Sequence, residues 1–308
     1  MEFKHSTEVV TSVEETFAWH ERKGAFRRLM PPWEKAEQVG ELSSLEDGTR
    51  LTFKFPMGPI KMKWVAEHSG YKPPHAFEDT MIKGPFKTWH HVHSFVETED
   101  GACRVDDHVE YPLPMGILGR IFGGGNVRKR LQRMFKAREI RLSKDTKRYN
   151  NFAHIKRKKI LIAGSSGLIG RQLIAFFDTA GHDVWRLVRK EPGKNQIQWS
   201  PSDGKINADE LEGFDAIIHL GGAGIGDKRW TKQRKMVLEK SRTDSTSLLA
   251  STIAGLENKP EVFIVSSAMG IYGSRGDEEL TEDSAVGEGF LPDMCVAWEK
   301  SAQAAIDA

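Results

Sequence analysis

The sequence predicts two fold classes in series. An α+β domain spans residues 1–149, and an α/β domain with a doubly wound parallel sheet spans 158–308. Three observations carry this reading. The first half runs short helices, a series of turn-separated strands and one long closing helix. The second half alternates short apolar strands with helices and opens on KILIAGSSGLIG at 159–170. Between them SKDTKRYNNFAHIKRKK (143–159) is polar, basic and without apolar periodicity, and 150–157 is read as a linker. A length of 308 residues suits two domains, at a prior of ~150 residues each.

In the first half, 2–10 and 49–66 read as strands, with turns at Asp47-Gly48 and Met57-Gly58-Pro59. Residues 76–82, 86–96 and 103–112 continue the series, with a turn at Glu99-Asp100-Gly101. Residues 13–29 read as short helical stretches behind a Ser12 cap, with Glu15 three residues on. Val127, Leu131, Met134, Phe135 and Leu142 follow helical spacing and predict a closing helix over about 126–143. A curved sheet on a long helix commonly encloses an apolar cavity.

The most chemical-looking segment there is WHHVHSF (89–95). Strand periodicity puts Trp89, His91, His93 and Phe95 on one face, assigned to the cavity, and His90, Val92 and Ser94 on the other. Either the histidines form a polar stripe satisfied by Asp79, Asp106 or Asp107, or they bind the ligand. Zinc requires three or four ligands and no third stands at a diagnostic spacing, so no metal is assigned. The closing helix is basic, with Arg128, Lys129, Arg130, Arg133, Lys136, Arg138 and Arg141; a solvated outer face is the commoner meaning of such a run, over a membrane or nucleic-acid surface.

In the second half, Lys158–Gly164 has the composition of a buried parallel strand. Gly164, Ser165, Ser166, Gly167, Leu168, Ile169 and Gly170 then form a Gly-rich turn into a helix, whose N-terminus offers N–H groups and a positive dipole end to a pyrophosphate. A second strand, Asp183–Arg189, follows at the distance a βαβ unit requires. An acid at its end would accept from a ribose 2′-hydroxyl; Arg189 stands about there instead, with Arg186 and Lys190 near it. An arginine pairs with a 2′-phosphate, so NADP(H) is favoured over NAD(H). Further strands read at Gln196–Trp199, Ala216–Leu220 and Val262–Ser267, with a helical pattern over 228–255.

Composition sets the outer bounds. The chain is 39% hydrophobic and 29% charged, the balance of a globular protein. Lys+Arg 45 against Asp+Glu 43 leaves +2, which excludes a globally basic nucleic-acid binder. Two cysteines, Cys103 and Cys295, make neither a disulfide scaffold nor a zinc site by themselves. No apolar run approaches the ~18 residues of a membrane span. The opening MEFKHSTEVV is too polar for a secretory signal, so a cytoplasmic setting is expected.

Two resemblances sharpen these expectations. FAWHERKGAFRRLMPPWE (17–34), FEDTMIKGPFKTWHHVHSF (77–95) and DDHVEYPLP (106–114) resemble the SRPBCC superfamily of START-like and polyketide-cyclase-like helix-grip domains. That implies a cavity for a hydrophobic small molecule without fixing the ligand. The second half resembles the atypical, epimerase/dehydratase-like branch of the extended short-chain dehydrogenase/reductases, which implies a Rossmann domain. The matching segments are GSSGLIG (164–170), LVRK (187–190), QWSPSDGKI (198–206), DAIIHLGGAGIGDKRW (215–230), EKSRTDST (239–246), SSAMGIYGSRGDEELTEDS (266–284) and CVAWEKSA (295–302). By this resemblance His219, Leu220, Gly221 and Gly222 form the loop where cofactor ribose and nicotinamide pass.

The departures matter as much. Typical members carry Tyr-x-x-x-Lys on a helix after the fifth strand. Overlay puts Cys295 at the tyrosine and Glu299 at the lysine, and a carboxylate beside a thiol raises the thiol pKa. Alignment on Ile271-Tyr272-Gly273 puts Ala268 at the usual serine, with Ser267 one residue early. Ser267 and Tyr272 are the remaining catalytic candidates. The chain stops at Ala308, ahead of an expected sixth strand and C-terminal substrate subdomain, and is therefore expected to be truncated. The implied function is an NADP(H)-dependent epimerase/reductase-like oxidoreductase with an attached hydrophobic-ligand domain. The alternative is a non-catalytic NADP(H) sensor coupled to a lipid- or metabolite-binding domain.

Overall fold

Alternating side chains build the first sheet. The computed structural model describes residues 1–40, 44–57, 59–112 and 116–308; Met57 and 116–124 are described by backbone alone. Leu113 and Pro114, at the end of one resemblance segment, and Gly58, in one expected turn, lie outside the described residues. The first half contains β1 (Glu2–Val9), α1 (Val13–Glu21), α2 (Ala25–Leu29), β2 (Glu37–Gln38), β3 (Arg50–Met57), β4 (Ile60–Lys72), β5 (Ala76–Lys83), β6 (His90–Glu97), β7 (Cys103–Glu110) and α3 (Gly116–Asn151). The strands form one antiparallel sheet in the order β1-β7-β6-β5-β4-β3-β2. Ser12 caps α1 by accepting from the Glu15 amide at 3.2 Å, which satisfies one of the helix's unpaired donors.

Period-two alternation buries His91, His93 and Phe95 on one face of β6, while His90, Val92 and Ser94 are half-buried on the other. Two apolar clusters form behind the sheet. One gathers Phe17, Trp19, Phe77, Phe95 and Leu142; the other gathers Trp64, Trp89, Tyr111, Leu131 and Phe135. Each large apolar side chain buried this way contributes about 1.5–3 kcal/mol.

Helix α3 is much longer than its apolar pattern predicts and takes in Asn150 and Asn151 of the expected linker. The extra C-terminal turns are anchored by charge rather than by apolar spacing. Asp145, buried on α3, receives two hydrogen bonds at 2.7 Å from the Arg28 guanidinium of α2. This fork geometry suits arginine and carboxylate. The basic face of α3 is also less uniformly solvated than expected. Arg130 pairs with Glu34, the Arg133 guanidinium lies 5.4 Å from the centre of the Trp33 ring, and Arg138 is half-buried against Phe135.

In the second half come β8 (Lys159–Ala163), α4 (Leu168–Thr179), β9 (Asp183–Val188), β10 (Gln196–Ser200), β11 (Lys205–Ile206), β12 (Ala216–His219), α5 (Lys232–Ala254), β13 (Val262–Val265), α6 (Phe290–Lys300) and α7 (Gln303–Ile306). The sheet order is β11-β10-β9-β8-β12-β13, parallel throughout except for β11 on β10. β8 is central, and Ile160, Leu161, Ile162 and Ala163 are all buried, as a strand covered on both faces requires. Helix α5 starts at Lys232 rather than 228, because Thr231 caps it by accepting from the Arg234 amide at 3.1 Å.

By internal contacts the chain divides into two units, Met1–Lys156 with Ala175–Gly181, and Arg157–Ile174 with His182–Ala308. Both cysteines are buried and unpaired. Among the described residues, no helix is long and apolar enough to cross a membrane.

The Arg28–Asp145 pair supplies a stability test. Asp145→Ala removes the carboxylate that takes both forked hydrogen bonds from the buried Arg28 guanidinium and is expected to destabilise the first unit by about 3–5 kcal/mol. Urea unfolding of the variant, followed by circular dichroism, checks it.

Candidate functional site

Strand register gathers the second-half candidates on one edge. Ala163 pairs with Leu187 of β9 and with His219 of β12, and His219 pairs with Val265 of β13. The segments leaving these strands, Gly164–Gly170, Arg189, Leu220–Gly222 and Ser266–Ala268, therefore all emerge at the carboxyl end of the parallel sheet. Chain order reverses between β8 and β12, and a crevice at such a switch point is where open α/β sheets take ligands.

Gly164 sits at φ 78°, and a Cβ there would lie 2.7 Å from the Leu220 carbonyl carbon. Only glycine allows the first turn to rest on the second loop this closely. Gly170 is equally constrained, since its Cβ would stand 2.4 Å from the Gly164 oxygen. Gly167 differs. Its Cβ would meet only the Gly164 oxygen, at 3.2 Å, and the residue is exposed. Leu168 and Ile169, the first residues of α4, are 77% and 63% exposed. Arg189 is exposed just beyond β9 and has no hydrogen-bond or ion-pair partner among the described residues.

His219, placed by the resemblance in the cofactor loop, is buried and supports this edge from beneath. Its Nε2 lies 2.8 Å from the Ser245 hydroxyl, which also lies 2.8 Å from the Ser241 carbonyl. The hydroxyl proton serves the carbonyl, so His219 donates through Nε2 and its Nδ1 accepts the Gly221 amide at 3.4 Å. Burial holds the imidazole neutral, with its pKa pushed down to about 4. Protonation would put an N–H against the Gly221 N–H.

The catalytic candidates are arranged less conventionally. The Ser267 hydroxyl donates to the Glu299 carboxylate of α6. Cys295 is fully buried with its Sγ 3.7 Å from the Ala268 carbonyl. Burial raises the thiol pKa and Glu299 raises it further, against a smaller opposing effect of Arg242. Tyr272 ends a short 3₁₀ turn, Met269–Tyr272, and is half-buried.

The first unit holds a cavity of about 430 Å³ walled mainly by Phe53, Trp64, Phe77, Trp89, Leu131 and Met134. That size lies in the range of small-molecule sites. Trp89, His91 and His93 line it, but Phe95 does not. Phe95 packs instead edge-on against Phe17 and His20, with ring centres 5.1 and 5.0 Å away, so the shared face continues past the cavity into the core. Arg130 and Arg138 of α3 also reach the cavity wall.

The polar end of the cavity is a quartet. Asp79 stands opposite His91 and Asp107 opposite His93 in the strand register. His91 donates through Nε2 to Asp107 at 2.9 Å, and its Nδ1 lies 3.2 Å from Asp79. His93 places Nε2 3.6 Å from the same Asp79 oxygen and Nδ1 2.9 Å from the same Asp107 oxygen, the latter off the line of a ring N–H hydrogen bond. Burial disfavours the His91 cation, but hydrogen bonds and charge from Asp107 and Asp79 outweigh it and push the pKa up to about 9. Burial likewise opposes ionisation of both aspartates, and the two histidines hold them well below the usual carboxylate range regardless. Asp106 is not a partner. It faces the other way, accepting from Ser6 and Arg104.

Together these features define a nucleotide-binding-type α/β domain preceded by an antiparallel-sheet domain with an apolar cavity. Residues 160–289 match the model of the NAD dependent epimerase/dehydratase family. Residues 9–135 match the model described as polyketide cyclase/dehydrase and lipid transport. The chain therefore carries a polyketide cyclase (SRPBCC) domain followed by an epimerase/dehydratase domain. Over 147 residues it is 36% identical to the epimerase family protein Mb2239 of Mycobacterium bovis, covering 47% of this chain and 48% of that one. Over 150 residues it is 35% identical to the epimerase family protein YfhF of Bacillus subtilis, covering 47% and 49%. The chain thus spans about half the length of the curated relatives it matches. A crystal structure of the nucleoside-diphosphate sugar epimerase from Corynebacterium glutamicum is similar over 99% of this chain and 63% of that one, at 33% identity and a TM-score of 0.81.

Neutral His219 predicts a pH dependence. Because its pKa is lowered on folding, its contribution is fully present above about pH 6.5 and is lost as pH falls toward 4. The loss attributable to it is on the order of 3 kcal/mol. The Trp199 indole sits edge-on to His219, 5.8 Å away. Denaturation at pH 7 and pH 5 is expected to show a smaller pH slope in His219→Gln than in the wild type.

Proposed function

We propose that the epimerase/dehydratase domain binds a nicotinamide dinucleotide with preference for NADP(H), and that the polyketide cyclase domain holds a hydrophobic small molecule. The observation that carries the preference is Arg189. It stands exposed beyond β9, unpaired among the described residues, on the same sheet edge as the Gly164–Gly170 turn, where a 2′-phosphate would need a cation. Gly164, Ser165, Ser166, Gly167 and the N-terminus of α4 at Leu168, Ile169 and Gly170 would receive the pyrophosphate. Leu220, Gly221 and Gly222 would flank the ribose and nicotinamide.

Two chemical readings share this cofactor site. In the first, the domain is an epimerase/reductase-like oxidoreductase in which Ser267 and Tyr272 are the groups available for proton handling. In the second, the dinucleotide is bound without turnover and the chain senses redox state or a metabolite. The Ser267–Glu299 hydrogen bond and the buried Cys295 thiol favour the second. By the overlay, Cys295 and Glu299 stand where the Tyr-x-x-x-Lys arrangement would set a cation beside a phenol. Oxidation of NADPH against a panel of ketones and aldehydes separates the two. Turnover that falls in Tyr272→Phe supports the enzyme, and saturable binding without turnover supports the sensor.

Cofactor preference has its own test. Arg189→Ala is expected to weaken NADPH binding by ~1.5–3 kcal/mol and leave NADH binding nearly unchanged. Equal wild-type affinity for the two cofactors would overturn the assignment.

The Gly turn gives a second. Gly167→Val asks the Gly164 oxygen, 3.2 Å from the added Cβ, to give by a few tenths of an ångström, and it puts a branched side chain where the pyrophosphate must approach. NADPH binding is expected to be lost with the circular-dichroism spectrum unchanged; unimpaired binding would place the nucleotide elsewhere.

A further inference from the structure

We propose that Asp79, His91 and His93 form a three-ligand site for a divalent first-row transition metal ion, with its open position facing the apolar cavity. One nitrogen of each histidine and one carboxylate oxygen of Asp79 lie within 4.8 Å of one another. The Asp79 oxygen is 3.2 Å from His91 Nδ1 and 3.6 Å from His93 Nε2. Metal–ligand bonds of about 2.0–2.1 Å put tetrahedral ligand atoms about 3.3–3.4 Å apart, so these two separations bracket an edge of such a site. All three residues line the cavity.

The fourth member of the quartet argues for the same assignment. Asp107 lies behind the rings, and one of its oxygens is 2.9 Å from both His91 Nε2 and His93 Nδ1, the nitrogens turned away from Asp79. A carboxylate on the far nitrogen of a ligating histidine fixes ring orientation and strengthens the imidazole as a donor. Here the carboxylate hydrogen-bonds His91, while its contact with His93 is one of charge, off the ring N–H line. Two imidazoles and a carboxylate suit Zn2+ and Fe2+, and three protein ligands leave room for an exogenous one.

Strand register explains why the site is built this way. β5, β6 and β7 place Asp79, His91, His93 and Asp107 on one face in adjacent rows, so the donors converge with no loop involved. The remaining coordination position would take an oxygen, a hydroxyl or carboxylate, of an otherwise apolar molecule. That last step rests on the hydrophobic-ligand reading; metal binding does not, and is measured without any organic ligand.

The experiment uses the full chain, stripped with a chelator and titrated with Co2+ while its visible absorption is followed, then with Zn2+ in competition. One equivalent of Co2+ per chain is expected, with bands of a low-coordinate ion that Zn2+ abolishes stoichiometrically. His91→Gln and His93→Gln, each checked for fold by circular dichroism, are expected to lose the bands. Asp107→Asn is expected to bind about 10–100-fold more weakly. His90→Ala, on the opposite strand face, and His108→Ala, in the exposed Glu2–His108–Glu110 cluster, are expected to bind like the wild type. Absence of stoichiometric Co2+ binding by the wild type would overturn the proposal and leave the quartet as ion pairs closed on themselves. Bands that survive both glutamine substitutions but vanish in His108→Ala would overturn it equally.

Discussion

Two imidazoles held between two carboxylates, in the wall of an otherwise apolar cavity, set the terms for the first unit. Charge in such a wall is tolerated only when it is paired. The pairing of His91 and His93 with Asp79 and Asp107 depends on β5, β6 and β7 keeping their register. A slip of one residue on β6 would turn both histidines to the opposite face and leave the two aspartates facing Val92 and Ser94. It would also bring His90 into the cavity. The same register seats Trp89 in the wall and sends Phe95 into the core beside Phe17, so the polar cluster and the apolar packing require one alignment.

The second unit depends on close backbone approach rather than on charge. Gly164 rests on Leu220 and Gly221, and Gly170 rests on Gly164, with no room at either for a side chain. Neutral His219 ties the Gly221 amide to the Ser245 hydroxyl and through it to α5. The edge that gathers Arg189, the Gly turn and Ser267 is thus shaped by contacts beneath it, while the residues on it, Gly167, Leu168 and Arg189, stay exposed. This division suits a binding surface on a rigid support. At the same edge, Ser267 is engaged by Glu299 and Cys295 is buried.

The two units meet different requirements on their ligands. The first offers a cavity of about 430 Å³ with polar groups at one end, which suits a molecule that is mostly apolar and carries an oxygen function. The second offers backbone amides and an arginine at a sheet edge, which suits a phosphorylated molecule.

Much of this was legible in the residues themselves. Alternation in WHHVHSF, the run KILIAG and the Gly-rich turn each encode a local geometry that a few neighbours enforce, and the structure follows them. Ser12 and Glu15 mark the start of α1 for the same reason, since a cap is made within one turn. Partners distant in sequence were legible only as a shortlist, Asp79, Asp106 or Asp107, of which the structure pairs the first and the last with the histidines. Asp79 and Asp107 stand 12 and 14 residues from His91 and His93, and nothing in their spacing separates them from Asp106, which points the other way. The C-terminal turns of α3 needed Arg28, 117 residues away, to hold Asp145. His219 became visible as a support only once α5 brought Ser245 to it. Local periodicity and turn chemistry are properties of a short stretch of chain, so the sequence alone determined the elements and the Gly turn. Strand pairing and helix packing join stretches that no local pattern connects, so the quartet, the exclusion of Phe95 and the neutral His219 were decided by the tertiary structure.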